Sequence, residues 1–296
     1  MSGNVASFDE FSSDRQIAAH AAGLPRIVLE GHDDVWLFKS VWFPDHLARF
    51  DFVPADDVVR GMGCTAVPQA VEHSRTVDGI PAFGIVDRDV YFREKDWNAL
   101  YESDDAAFPS DKAEGVFVSR LWEVEAHLLQ PDLLESWVMG CASNPDASGP
   151  IAARAIERSL EQCEALFEAA PYLAATHHDG VKSEESFASL DAAKVREVCD
   201  KRLEALSEEA KGHAADVAAL VEHIRTLAPT AAPARLLWFL RFIDTKRLLA
   251  RLRQDLRLGD HKHPHRVLAA LMSSAARKPD EFAEHLERLA AETASA

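Results

Sequence analysis

The first half of the chain alternates short apolar runs with amphipathic stretches. Arg26-Ile-Val-Leu-Glu-Gly31 is a β-branched run closed by a turn residue, which predicts a buried strand. His32–Trp42 has apolar residues at 35, 37, 38, 41 and 42 with Pro44 soon after, the pattern of a short helix. Asp51-Phe-Val53 predicts a second strand, Ala66–Thr76 a second helix, and Ala82-Phe-Gly-Ile-Val-Asp87 a third strand. Gly115-Val-Phe-Val-Ser119 predicts a fourth strand, followed by a helix over about 121–140. Alternation of strand and helix implies an α/β fold, a mostly parallel sheet with helices on its faces. Residues 1–25 form a preceding segment with a short helix over 15–22.

The pattern changes after Ser143-Asn-Pro-Asp-Ala-Ser-Gly-Pro150, a turn-rich stretch that reads as a linker. Beyond it no segment alternates with period two. Ile151–Ala169, Leu190–Leu227, Pro233–Leu258 and His265–Glu292 are helically periodic. The expected organisation is therefore an α/β domain over 26–145 and an all-α C-terminal domain over 150–296.

Composition narrows the class. No stretch approaches the ~20 apolar residues of a membrane span. The polar, acidic start lacks the features of a signal peptide. Cys64, Cys141, Cys163 and Cys199 are scattered without a CxxC pair, which argues against a disulfide scaffold or zinc ribbon and fits a reducing, cytoplasmic setting. The net charge of −17 opposes nucleic-acid binding when taken alone. Residues 235–266, however, hold nine Lys/Arg against three Asp/Glu, a balance of +6 that leaves −23 for the rest. One basic face on an acidic body suits a nucleic-acid enzyme, with a partner adding further positive surface. His261-Lys-His-Pro-His265 reads as an exposed loop.

Two predicted strands end in acids, Glu30 after the first and Asp87 with Asp89 after the third. Parallel sheets hold ligands at the carboxyl ends of their strands. Mg²⁺ takes oxygen ligands in octahedral geometry and keeps several waters, so two or three carboxylates are an apt number. Such an ion can neutralise phosphate charge and activate water. Glu123 and Glu125 flank the start of the next predicted helix, and Glu125 is the better candidate for a ligand to a second metal. Lys246, Arg247 and Arg251 read either as a solvated helix face or as phosphate contacts. There is no GxxxxGK[ST] for a P-loop and no GxSxG for a serine hydrolase.

Val28-Leu-Glu-Gly-His-Asp-Asp34 followed by Gly84-Ile-Val-Asp-Arg-Asp89 resembles the Toprim domain of topoisomerases, primases and OLD-type nucleases. The resemblance covers roughly residues 26–135. It implies that Glu30, Asp87 and Asp89 bind Mg²⁺ or Mn²⁺, and that Asp34 matches an acid at the start of the following helix. Trp122-Glu-Val-Glu-Ala-His-Leu-Leu-Gln-Pro131 and Arg235–Leu249 resemble two motifs of a Toprim group encoded beside ATPases in bacterial anti-phage loci. Ala126-His127 and Thr245 depart from that group's pattern, where Asn-Tyr and Gly stand. Lys246 matches its conserved-type lysine.

The resemblance implies a metal-dependent nuclease acting on DNA or RNA. Glu30, Asp87, Asp89 and Lys246 would carry catalysis, and Asp34 and Glu125 would be further metal ligands. Lys246, Arg247 and Arg251 would contact nucleic acid. It also implies an ABC/AAA-type ATPase partner in an antiviral defence system and a homo-oligomer, with no membrane association. The competing readings are a non-catalytic Toprim-fold interaction module and a primase-like nucleotidyl transferase. No strand-passage tyrosine can be picked out among Tyr91, Tyr101 and Tyr172, which disfavours a topoisomerase.

Overall fold

A computed structural model describes residues 23–183, 185–259 and 264–294. The helix predicted over 15–22 and most of the His261–His265 segment lie outside the described residues. The chain forms two compact units. The first takes in the described residues of Met1–Val86, Ser110–Val118 and Ala276–Ala296, and the second those of Asp87–Pro109 and Ser119–Ala275. The chain is cut at the ends of strands and not at 143–150, where Pro145–Ala152 is helical.

The first unit is an α/β sandwich. Its strands are β1 (Arg26–Leu29), β2 (Asp51–Pro54), β3 (Ala82–Val86), β4 (Asp111–Ala113) and β5 (Val116–Val118), in the order β2-β1-β3-β5-β4. The pairs β1–β2, β1–β3 and β3–β5 are parallel, and β4–β5 is antiparallel. β1, β2 and β5 are buried along their whole length, as their continuous apolar runs require. β4 escapes the pattern analysis because Asp-Lys-Ala is polar and sits on the sheet edge, where charge guards an unpaired ladder.

Helices cover both faces. α1 (His32–Trp36) follows β1 and runs on as a π-helical turn over Leu37–Trp42. α2 (Ala66–Thr76), as predicted, crosses the sheet at Gly84, where an added Cβ would lie 2.6 Å from Val67 and 3.3 Å from Val116. Glycine is thus needed in β3 for close helix–sheet packing. Val116 shares that face, so Phe117 faces the other. There His285 of the last helix stacks on Phe117 with ring centroids 4.3 Å apart, and Phe282 of the same helix packs on Phe38. The last helix therefore forms a layer of the α/β sandwich, although its sequence pattern matches that of the tail helices.

The second unit has no strand among its described residues. α3 (Asp89–Glu94) and α4 (Trp97–Leu100) are short. The helix predicted over 121–140 is broken by Pro131 into a 3-10 turn at Val124–Leu128 and α5 (Leu134–Cys141). α6 (Pro145–Ala152) leads into α7 (Ala155–His178), the central helix. Around α7 pack α8 (Ala192–Leu203), α9 (Glu208–Leu227), α10 (Ala232–Phe239) and α11 (Thr245–Asp255). α12 (Pro264–Ser274) precedes α13 (Asp280–Ala294), the helix on the sheet.

Three predicted helical stretches, Leu190–Leu227, Pro233–Leu258 and His265–Glu292, are each two helices. Ser207 accepts the backbone N–H of Ala210, and Asp244 that of Arg247. Each side chain satisfies a donor that a helix N-terminus leaves open, so a new helix starts there. No described helix is long and apolar enough to cross a membrane.

Candidate functional site

The second unit begins where β3 ends. Asp87 follows Val86, and Asp89 opens α3, which Lys95 closes in the left-handed region at φ 62°. A second segment leaves the end of β5 and runs through Trp122 and Glu123. The two are stitched together. Asp87 Oδ1 accepts the Val124 N–H at 2.8 Å, and the Asp89 N–H donates to the Trp122 carbonyl at 3.2 Å. A third element reaches in from the helical region, where the Trp122 N–H donates to the carbonyl of Leu240 at 3.1 Å.

α11 completes the cluster with its N-terminus. Asp244 caps it, and Lys246 lies at the second helical position. The Lys246 N–H donates to Glu123 Oε2 at 3.1 Å, and its ammonium to Glu123 Oε1 at 2.7 Å. Glu123 is thus gripped by a helix terminus and by a cation at once. It is only 4% exposed, whereas solvent reaches the Lys246 side chain.

The electrostatics are strained. Burial pushes the Glu123 carboxyl up to about 8 against the pull of Lys246, and Asp244 and Glu125 push it the same way. Burial also raises Asp89 above the ordinary carboxylate range, with Arg93 and Lys246 opposing and Asp244 adding to the rise. Burial alone would lower Lys246, but Glu123, Glu125 and Asp87 outweigh it and hold the ammonium above its usual value. Arg93 donates to Asp89 Oδ2 from Nη2 at 2.9 Å, while Oδ1 is buried without a hydrogen-bond partner among the described residues. A buried anionic oxygen left in that state costs on the order of 1–3 kcal/mol.

Arg88, between the two aspartates, has a different role. It is fully buried between the rings of Phe108 and Phe242, 4.4 and 4.8 Å from their centroids. It donates to the carbonyls of Leu100, Arg120 and Glu102 at 2.7, 3.0 and 2.6 Å. Burial lowers its pKa to about 9. Arg88 ties together the two segments that carry the acids.

Asp87 and Glu125 each act electrostatically on Lys246, and Lys246 acts on Asp89. Glu123 and Asp244 were missed as members. Their signal lay in the neighbourhood of the Glu-x-Glu segment and in the helix start before Lys246. The sequence favours Glu125 over Glu123, yet Glu123 is the one held by Lys246. Glu30 and Asp34 belong to the first unit. Glu30 is the residue after β1, the strand adjacent and parallel to β3. Asp34 Oδ2 accepts the Gly31 N–H at 3.1 Å at the start of α1.

The expectation of a basic nucleic-acid face over 235–266 needs correction. Arg251 is 1% exposed and donates to Gln162 Oε1 at 2.9 Å and to the carbonyls of Phe187, Ser186 and Leu190. Such a side chain cannot reach a phosphate. Arg247 binds Asp244 and the carbonyls of Ser183 and Glu185. Arg235 pairs with Glu164 and Arg241 with Asp105. A count of charges along the sequence could not tell internal anchors from surface cations.

Searches against family models, curated proteins and solved structures each return no match to this chain. The architecture defines the class as an α/β protein with a largely helical second unit.

Proposed function

We propose that this chain is a Toprim-type, divalent-metal-dependent nuclease that hydrolyses phosphodiester bonds in DNA or RNA. The observation that carries the reading is the cluster of under-neutralised acids in the second unit. Asp89 has an unpartnered buried oxygen, and burial holds Glu123 partly protonated although Lys246 touches it. A cation relieves both at once. The donors are hard oxygens, which suit Mg²⁺ or Mn²⁺ and not a thiolate metal. Asp87, Asp89 and Glu125 would hold the ion, and the Toprim resemblance assigns Glu30 to the same chemistry. When bound, the ion supplies charge neutralisation of the phosphate and a more acidic water. Lys246, whose side chain solvent reaches, would pair with a phosphate oxygen and offset the charge of the transition state.

The internal pairing of Arg235, Arg241, Arg247 and Arg251 supports an ATPase partner that delivers the nucleic acid and triggers cleavage in bacterial defence. The same pairing gives the non-catalytic interaction module its best support. Cleavage of plasmid and of total RNA with Mg²⁺ or Mn²⁺, with and without the adjacent ATPase, separates the two. Asp89→Asn and Glu30→Gln are each expected to cost about 100-fold or more, since even outer-shell changes at metal sites cost ~10–100-fold. Unchanged cleavage by folded Asp89→Asn protein would remove this site from the reaction.

A further inference from the structure

The carboxyl end of α7 and the amino end of α9 meet within the second unit. Asp179, which follows α7, accepts the Ser207 N–H at 2.9 Å and the Ser207 hydroxyl at 2.6 Å, and Ser207 in turn caps α9. The two helix ends are thus fixed to each other. His178 is the last residue of α7. Glu209 and His213 are four residues apart on α9 and so share one of its faces. Each of the three offers one ligand atom, and these atoms all lie within 4.8 Å of one another.

Hydrogen bonding leaves this group poorly satisfied. His178 Nδ1 is buried without a hydrogen-bond partner among the described residues. His178 Nε2 stands 3.6 Å from Glu209 Oε1, longer than a hydrogen bond. The His178 and His213 rings lie 4.3 Å apart at 38°. Two imidazoles in contact resist carrying a proton charge each. One cation shared between them and the carboxylate suits the geometry better.

Two ligands about 2.0–2.1 Å from zinc in a tetrahedral shell are about 3.3–3.4 Å apart. A separation of 3.6 Å needs only a small side-chain movement to reach that, and the exposed Glu209 can make it. Two imidazoles with one carboxylate form a zinc set that keeps a fourth position for water, and nitrogen donors favour Zn²⁺ over Mg²⁺. The carboxyl end of α7 attracts a cation. The amino end of α9 opposes it with roughly half a charge, which the full charge of Glu209 outweighs.

We propose that His178, Glu209 and His213 form a zinc site, separate from the acidic cluster, that clamps the end of α7 to the start of α9. Trp97 of α4 regulates it. The Trp97 indole N–H donates to His213 Nδ1 at 2.9 Å, so the neutral ring carries its proton on Nε2. An ion on Nδ1 displaces Trp97 directly. An ion on Nε2 shifts the ring proton to Nδ1, and Trp97 again loses its acceptor. Zinc and Trp97 therefore compete for His213, at a cost to zinc of about fivefold for one hydrogen bond.

The test is Co²⁺ titration of the full chain with Mg²⁺ in excess, read by visible absorption. Two imidazoles and a carboxylate hold Co²⁺ four-coordinate and give strong visible bands, whereas a six-oxygen shell gives weak ones. The wild type should show strong bands that Zn²⁺ abolishes. His178→Ala, His213→Ala and Glu209→Gln should each weaken this binding by at least about tenfold. Glu209 is exposed, so loss in Glu209→Gln does not arise from unfolding. Asp89→Asn should bind as the wild type does, and Trp97→Phe should bind up to about fivefold more tightly. Weak bands alone, or strong bands that persist in Glu209→Gln and His178→Ala, overturn the inference. Strong bands lost in Asp89→Asn place the ion in the acidic cluster and overturn it as well.

Discussion

Two sets of buried charge in the second unit are built in opposite ways. Arg251 and Arg88 are buried and satisfied, each guanidinium meeting internal acceptors on several sides. Asp89 and Glu123 are buried and under-satisfied, one with an orphan oxygen and the other pushed up to about 8. The first arrangement meets the guanidinium N–H groups with acceptors and fixes the surrounding backbone, although burial still lowers Arg88 to about 9. The second leaves free energy that a bound cation can recover. Asp89 differs from the two guanidiniums in having a buried oxygen without a hydrogen-bond partner among the described residues.

The sharpest way to break this contrast is to remove a satisfied cation. Arg251→Ala leaves Gln162 and three carbonyls unpaired, and should cost about 3–5 kcal/mol, read as a lower urea midpoint. The salt dependence of nucleic-acid binding by the folded fraction should not change. A salt slope lower by about one unit would restore Arg251 as a phosphate contact.

Glu123 sharpens the other side. Its carboxyl lies at about 8 in the fold against an ordinary 4.5. Its contribution to stability is therefore complete below about pH 4.5 and is lost as pH rises through about 8. In a chelator, the free energy of unfolding should fall by about 1–2 kcal/mol between about pH 5 and pH 8.5, allowing for the opposing pull of Lys246. Glu123→Gln should flatten that dependence, and Mg²⁺ should stabilise the wild type most at the alkaline end. A stability profile identical in wild type and Glu123→Gln would mean that Lys246 and the α11 terminus already neutralise the carboxylate.

The smallest effect is expected at Asp34. Asp34→Ala removes the acceptor of the Gly31 N–H at the start of α1 and should cost about 1 kcal/mol with cleavage intact. A loss of metal-dependent cleavage beyond that small destabilisation would return Asp34 to the ligand set.

β1, β2, β3, β5 and the helix at Ala66–Thr76 are legible in the sequence, because buried parallel strands and an amphipathic helix leave apolar runs of fixed period. It also marked the acids, since Glu30 and Asp87 follow directly from where two such runs stop. It did not reveal that Asp87–Pro109 leaves the sheet for the helical unit, nor that α13 covers the sheet, because a helix's pattern names a buried face and not the surface that buries it. Nor could it sort the cations of 235–266. Lys246 and Arg251 are five residues apart on one helix with similar neighbours in sequence. Only packing decided that one meets Glu123 at the end of α11 while the other ends among backbone carbonyls, because partner groups for a charge come from segments distant along the chain.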